Sequence, residues 1–295
     1  MWCSSAVLKH PGKIRTELFL FCPLGGETPK PGRSQKIISI RGMSWLNMTV
    51  HVSPAIIMRT WEFGESDLMV SFFTPEMGLL KGVAKGARKS RQRFANCLDL
   101  FCLSRLEYER KREGGLFFLH SGKLMQVFPG VRSGFSFLSL ASYMLELTEI
   151  LFPAGVAARR MFALLHAALA GLDAEKQIDR LRILFEAKAM ALGGYGFDLG
   201  RCCVCGRIYQ GEGRAVFKPE TGGIACLKCG QESIRTPGLG PAAIKLLHEM
   251  QSTSWDAAQA ERLNTQAMSE LKRVMKLHIE YRIGQRLKSA EFLAD

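Results

Sequence analysis

A chain of 295 residues is too long for a mini-protein held by staples and suits two domains, or two plus a small insertion. Hydrophobic residues make up 47% and charged residues 23%, which excludes global disorder, and no apolar run approaches the roughly 18 residues of a membrane span, which excludes an integral membrane protein. Forty Lys and Arg against 27 Asp and Glu leave a net charge of +13, a balance that favours a polyanionic partner, nucleic acid first and an anionic membrane second.

Residues 1–47 show neither a helical nor a strand period, and Gly25-Gly26, Pro29, Pro31 and Gly32 break them further. They read as a disordered extension or as sequence upstream of the true start, with Met43 and Met48 as alternative first residues. An organellar address is the lesser option. Residues 54–125 read as β, within a nucleic-acid-binding domain expected over 48–128. Strands are expected over Pro54 to Thr60, Leu68 to Thr74, Leu79 to Val83, Leu98 to Tyr108 and Leu116 to Val127. Pro75-Glu76-Met77-Gly78 has turn chemistry, and Gly114-Gly115 reverses the chain again. Five short strands in this space predict a small closed barrel such as the OB-fold.

From about residue 136 the apolar period becomes helical. Helices are expected through Phe137 to Leu147, Phe162 to Leu169, Ile178 to Leu192, Ala242 to Met250, and Thr265 to Lys288. The fold class is therefore α+β: an OB barrel, then an α-helical domain over 129–200 and 231–295, interrupted by a cysteine module over 201–230. Gly194 to Gly200 follows a helix and lacks dinucleotide-binding spacing, so it reads as a helix stop plus linker. His166, His248 and His278 stand alone on helices and read as packed or capped imidazoles.

Nine cysteines, an odd number, without a secretory signal argue against a disulfide framework and for reduced thiols in the cytoplasm. Cys202-x-x-Cys205 and Cys226-x-x-Cys229 form two knuckles. Each points two thiolates at one centre, and two knuckles complete a tetrahedral shell suited to one Zn²⁺. Four thiolates leave no open position, so the metal is expected to be structural. The competing readings are buried reduced cysteines or a redox pair. Cys203 falls out of register and reads as a bystander.

The densest cationic run holds Lys81, Lys85, Arg88, Lys89, Arg91 and Arg93 with no acidic residue among them. Small residues between these cations let a phosphate backbone approach closely. Arg110, Lys111 and Arg112 at the next hairpin could lie beside them, and Phe94, Tyr108 and Phe117 are expected as aromatics for base stacking. The bland alternative is a solvated loop. No P-loop, Ser/His/Asp or H-E-x-x-H pattern occurs, and Glu62 and Glu65 have no evident acid/base partner. The chain is not expected to be an enzyme.

Four strings in this order carry a family resemblance. They are Ala55 to Thr60 with Gly64 to Leu68; Gly78 to Arg88; Gly193 to Leu199 ahead of Cys202-x-x-Cys205-Gly206; and Tyr281 to Gly284 followed by Leu287 to Ser289 and Phe292-Leu293. Over Thr49 to Leu293 the chain resembles the RecO family of bacterial DNA repair and recombination mediators. The resemblance implies an N-terminal OB-fold, an α-helical domain and a four-cysteine zinc module. It also implies binding of single- and double-stranded DNA, ATP-independent strand annealing, and work with RecR and single-stranded DNA-binding protein (SSB) to load RecA. The matching positions are Lys81, Lys85 and Arg88 for DNA, and Cys202, Cys205, Cys226 and Cys229 for zinc. Residues 1–47 have no counterpart in the family. The resemblance implies a cytoplasmic, nucleoid-associated protein. An RNA-binding or transcription-associated OB/zinc protein, an enzyme using the cysteines, and a scaffold with incidental charge remain the alternatives.

Overall fold

The computed structural model describes residues 49–110, 115–174, 178–259 and 264–293, so the extension expected over 1–47 lies outside the described residues. Five strands, β1 (Val50–Phe63), β2 (Asp67–Thr74), β3 (Gly78–Ala84), β4 (Leu103–Arg110) and β5 (Phe117–Gln126), close into a barrel in the order β1-β2-β3-β5-β4. β1 pairs antiparallel with β2 and β4, while β3 runs parallel to β5. This is an OB-like barrel, followed by helices and a small second sheet, so the chain is of the α+β class. Inward-facing side chains such as Ile57, Val70, Phe72, Leu80, Leu106 and Tyr108 fill its interior.

β1 does not alternate uniformly. Its register against β2 slips between Ile57 and Arg59, leaving Met58 as an extra residue. A bulge of this kind changes which parity of side chain faces out. Ile57 is in the barrel core, whereas Arg59 pairs with Ser71 and Trp61 with Met69, and both Arg59 and Trp61 are exposed.

The barrel closes where β3 meets β5, with Gly82 opposite Phe117. A Cβ on Gly82 would lie 2.3 Å from Leu119 Cδ1 and 2.9 Å from the Phe117 carbonyl oxygen. Gly82→Ala is expected to destabilise the protein by about 2 kcal/mol through overpacking at this seam. An unchanged denaturation midpoint would show that the seam does not need the glycine.

The fourth strand starts at Leu103, later than the Leu98 expected. Asn96 and Phe101 have φ of 53° and 71°, and left-handed residues cannot continue a pleated strand. The Phe101 amide instead donates to the Ile57 carbonyl at 3.0 Å, and Leu98 and Cys97 turn into the barrel core.

The helices are α1 (Phe135–Leu151), α2 (Arg159–Ala174), α3 (Ile178–Leu192), α4 (Pro241–Ser252), α5 (Trp255–Gln259) and α6 (Thr265–Ile283). Asn264 caps α6, its side chain accepting from the amides of Gln266 and Ala267. The helix stops at Ile283, short of the Lys288 expected, because Gly284 takes φ 73° and ends it in a left-handed cap. Residues 288–292 form a separate 3-10 turn. One apolar cluster joins Ile56, Met58, Phe73 and Leu79 on the outer barrel wall to α1, α2 and α3. No helix among the described residues is long and apolar enough to cross a membrane.

Between α3 and α4 lies a second sheet of β6 (Asp198–Cys202), β7 (Ala215–Lys218), β8 (Gly223–Cys226) and β9 (Gly238–Leu239), ordered β6-β8-β7-β9. The segment expected as a linker after Gly194 thus turns into a strand at Asp198. Phe197, Leu199, Phe217, Ile224 and Leu239 form one core with α3, α4 and α6. The sheet is anchored to the helical body by this burial.

Candidate nucleic-acid interface and metal centre

The cationic run leaves β3 and enters the segment that leads to β4. Two buried side chains pin it: Ala87 and Phe94 both belong to the barrel core. The Gly86 amide donates to Asp67 Oδ1 at 2.7 Å and the Arg88 amide to the Ser66 carbonyl at 3.1 Å. These bonds tie the loop to the β1–β2 hairpin. A 3-10 turn spans Ala87–Lys89, and the Arg93 carbonyl accepts from Gly122 at 2.8 Å on β5. The chain between the anchors presents its charges to solvent. Lys85, Arg88, Lys89, Arg91 and Arg93 are all exposed.

They are not equally engaged. Arg88 Nη2 meets Glu62 Oε1 at 3.0 Å, which gives Glu62 a partner that its sequence context did not suggest. Both side chains are solvated, so such a pair contributes at most about 1 kcal/mol and yields readily to a phosphate. Arg93 donates to the Lys85 carbonyl at 2.6 Å, and Lys85 Nζ lies 5.6 Å from the Phe118 ring centre. Lys89 and Arg91 make no ion pair among the described residues. Lys81 stands apart from the loop as the one exposed side chain of β3, in register with Ser71.

Arg110 ends β4 opposite Phe117, whose other neighbour is Gly82. It therefore lies about 10 Å from β3, two strand spacings away. Its guanidinium sits 4.6 Å over the Phe117 ring, and its Nε is buried without a hydrogen-bond partner among the described residues. Lys111 and Arg112 lie outside the described residues.

The aromatics expected to stack on bases do not face solvent. Phe94, Tyr108 and Phe117 are 5%, 1% and 2% exposed, because each points into the barrel interior. Trp61 and Phe63 are the exposed aromatics of β1, at 41% and 47%. Sequence reading missed them because it ended the strand at Thr60 and the Met58 bulge reverses the facing beyond it.

The second site is the cysteine tetrad. β6 and β8 pair in parallel, and their C-terminal ends carry Cys202 and Cys226. That pairing brings the two knuckles together. The sulfurs of Cys202, Cys205, Cys226 and Cys229 all lie within 4.8 Å of one another. Backbone bonds shape each turn: Gly206 donates to the Cys202 carbonyl at 2.9 Å, and Cys229 to the Cys226 carbonyl at 2.8 Å. The Cys226 amide also points at Cys202 Sγ, 3.4 Å away.

Burial opposes ionisation of Cys202, but the amides of Cys205, Cys226 and Val204 outweigh it and bring the thiol down to about 6. Hydrogen bonds to the sulfurs of Cys226 and then Cys205 push Cys229 up to about 12. Four adjacent thiolates repel one another, and a cation removes that repulsion. The donor set and spacing fit a metal ion that prefers sulfur. Cys203 is exposed and outside the tetrad, while Cys97 and Cys102 are buried in the barrel region.

Polar contacts clamp this sheet to α6. Arg214 bonds Glu270 at 2.8 Å and Glu232 at 2.9 Å, and Glu270 also accepts from the Gly240 amide at 2.7 Å. His278 is fully buried against Phe197 and Phe217, with Nε2 2.7 Å from the Tyr195 carbonyl oxygen. It is a packed imidazole, as is His166, whose Nε2 lies 2.9 Å from Gln126 Oε1. His248 is exposed on α4.

Burial holds His278 down to about 4, from an ordinary 6.5. Between those values the unfolded chain binds a proton that the folded chain does not. The stability present above pH 6.5 is therefore lost as pH falls towards 4, by about 3 kcal/mol in total. Denaturant titrations at pH 7 and pH 4.5 should show this slope in the wild type and a shallower one in His278→Leu. Equal slopes would refute the assignment.

The family described as "Recombination protein O N terminal" matches residues 48–128, and the one described as "Recombination protein O C terminal" matches residues 132–291. The chain is 34% identical over 245 residues to the DNA repair protein RecO of Desulfatibacillum aliphaticivorans, covering 82% of this chain and 95% of that protein. It is 30% identical over 246 residues to the DNA repair protein RecO of Syntrophus aciditrophicus (strain SB), again covering 82% and 95%. The RecO of Dehalococcoides mccartyi (strain CBDB1) is 28% identical over 239 residues, covering 81% and 93%.

Proposed function

This chain belongs to the recombination protein O family, and on that premise we propose that it is a mediator of DNA repair and homologous recombination. It binds single- and double-stranded DNA through Lys81, the loop cations Lys85, Arg88, Lys89, Arg91 and Arg93, and Arg110 with its neighbours Lys111 and Arg112. It anneals complementary strands without ATP. With RecR it helps load RecA onto strands coated by SSB. One structural Zn²⁺ is held by Cys202, Cys205, Cys226 and Cys229. The protein works in the cytoplasm, at the nucleoid, as a binding protein and not an enzyme.

The observation that carries this reading is the pinned loop. Two core side chains and two hairpin bonds hold a short segment whose cations all remain solvated. Two DNA strands repel through their phosphates. A surface that neutralises both backbones and leaves base edges free lowers the barrier to pairing, and no covalent step is needed.

The test is annealing of complementary oligonucleotides by the purified protein, with bare strands and with strands coated by SSB, in the absence of nucleotide. Acceleration on both substrates, weakening steeply with salt, is the expected result. No acceleration, or a requirement for ATP, would overturn the reading. Tighter binding to an RNA oligomer than to its DNA match would favour the RNA-binding alternative instead.

A further inference from the structure

We propose that the outer face of β1, β2 and β3 carries a subsite for one unpaired nucleotide, with the base on Trp61 and the phosphate at Lys81. The proposal rests on the DNA-binding reading and deepens it by placing the discrimination between unpaired and paired DNA at a site distinct from the basic loop.

The register brings the parts together. Beyond the Met58 bulge, Arg59, Ser71 and Lys81 stand side by side on three adjacent strands, and Trp61 begins the next row. Together with Leu79 and Glu149 they line a cavity of about 560 Å³, within the range of small-ligand sites. Ser71 is 1% exposed, yet its Oγ has no hydrogen-bond partner among the described residues. A buried hydroxyl without a partner is destabilising, and its persistence on a cavity wall points to a ligand that supplies one.

The charges suit a phosphate. Glu149 is engaged by Arg59 at 2.7 Å through two guanidinium nitrogens, so its carboxylate is already neutralised. Lys81 makes no ion pair among the described residues and supplies the net positive charge. Trp61 is 41% exposed, and an indole face takes any base by stacking, whatever its sequence. A base inside a duplex has both faces covered by its neighbours. The subsite therefore selects unpaired nucleotides, whereas the loop cations read only phosphate and accept either form of DNA.

The full-length protein is titrated with an oligo-dT strand and with a mixed-sequence duplex. Trp61→Ala should weaken oligo-dT binding about tenfold and leave duplex affinity unchanged within about twofold, with Trp61→Phe recovering most of the loss. Ser71→Ala should weaken oligo-dT binding by a smaller factor while raising the melting temperature, since it removes the unpartnered hydroxyl. Equal effects of Trp61→Ala on both DNAs, or none on oligo-dT while reversal of the loop cations still abolishes binding, would overturn the subsite and leave the DNA-binding reading standing. A wild-type protein that binds neither DNA would overturn both.

Discussion

Replacing Arg88, Lys89 and Arg91 together by glutamate is expected to weaken binding to single- and double-stranded DNA alike by about 100-fold or more at moderate salt. The three side chains are exposed on a loop that is anchored elsewhere, by Ala87, Phe94 and the Gly86 amide. Their reversal therefore changes charge without unpacking the barrel, and the melting temperature should move little. Of the three, Arg88 alone has a charged partner among the described residues, Glu62, and that pair is solvated.

Each phosphate neutralised by a loop cation releases counterions, so the slope of log affinity against log salt should fall by about 3, roughly one unit for each cation reversed. The slope separates a direct role from a fold defect. A misfolded variant loses active protein but keeps the wild-type slope in the remainder. Unchanged affinity in the triple variant would assign the net charge of +13 to solubility alone and favour the scaffold reading.

Removal of the metal is the second large effect. Purified protein should carry close to one zinc per chain, and Cys205→Ala should lose it. Structural zinc in small modules contributes roughly 10–16 kcal/mol of apparent binding free energy at neutral pH. Without it, the two knuckles at the ends of β6 and β8 hold four sulfurs within 4.8 Å and no cation between them. Amide exchange should then rise across β6 to β9, while β1 to β5, which have their own core, stay protected.

Bound zinc would also hide its ligands. Alkylation should reach exposed Cys203 in the holoprotein and spread to the tetrad only after chelation or mild acid, since protons compete with metal for thiolate. A preparation free of zinc with native exchange behaviour throughout β6 to β9 would refute the structural role.

Much of this protein is determined locally, and its sequence alone suffices there. Hydrophobic alternation and turn residues specify five strands, and a helical period specifies the helices after residue 136, because each signal depends on neighbours within one element. The cysteine tetrad is legible for the same reason. A knuckle is four residues long, and two of them declare four ligands, though only the pairing of β6 with β8 brings those ligands to one centre.

What faces outward on the barrel was decided by tertiary structure. The extra residue at Met58 reverses the parity of β1, so Arg59 and Trp61 reach solvent while alternation from Ile57 would bury them. Phe94, Tyr108 and Phe117 resemble stacking residues when read along the chain, yet barrel closure turns all three inward. The stop at Gly284 and the turn at Phe101 likewise depend on left-handed backbone that periodicity does not register. For the barrel side chains the physical reason is common. A side chain's facing depends on which strand lies opposite, and one inserted residue exchanges the inside for the outside.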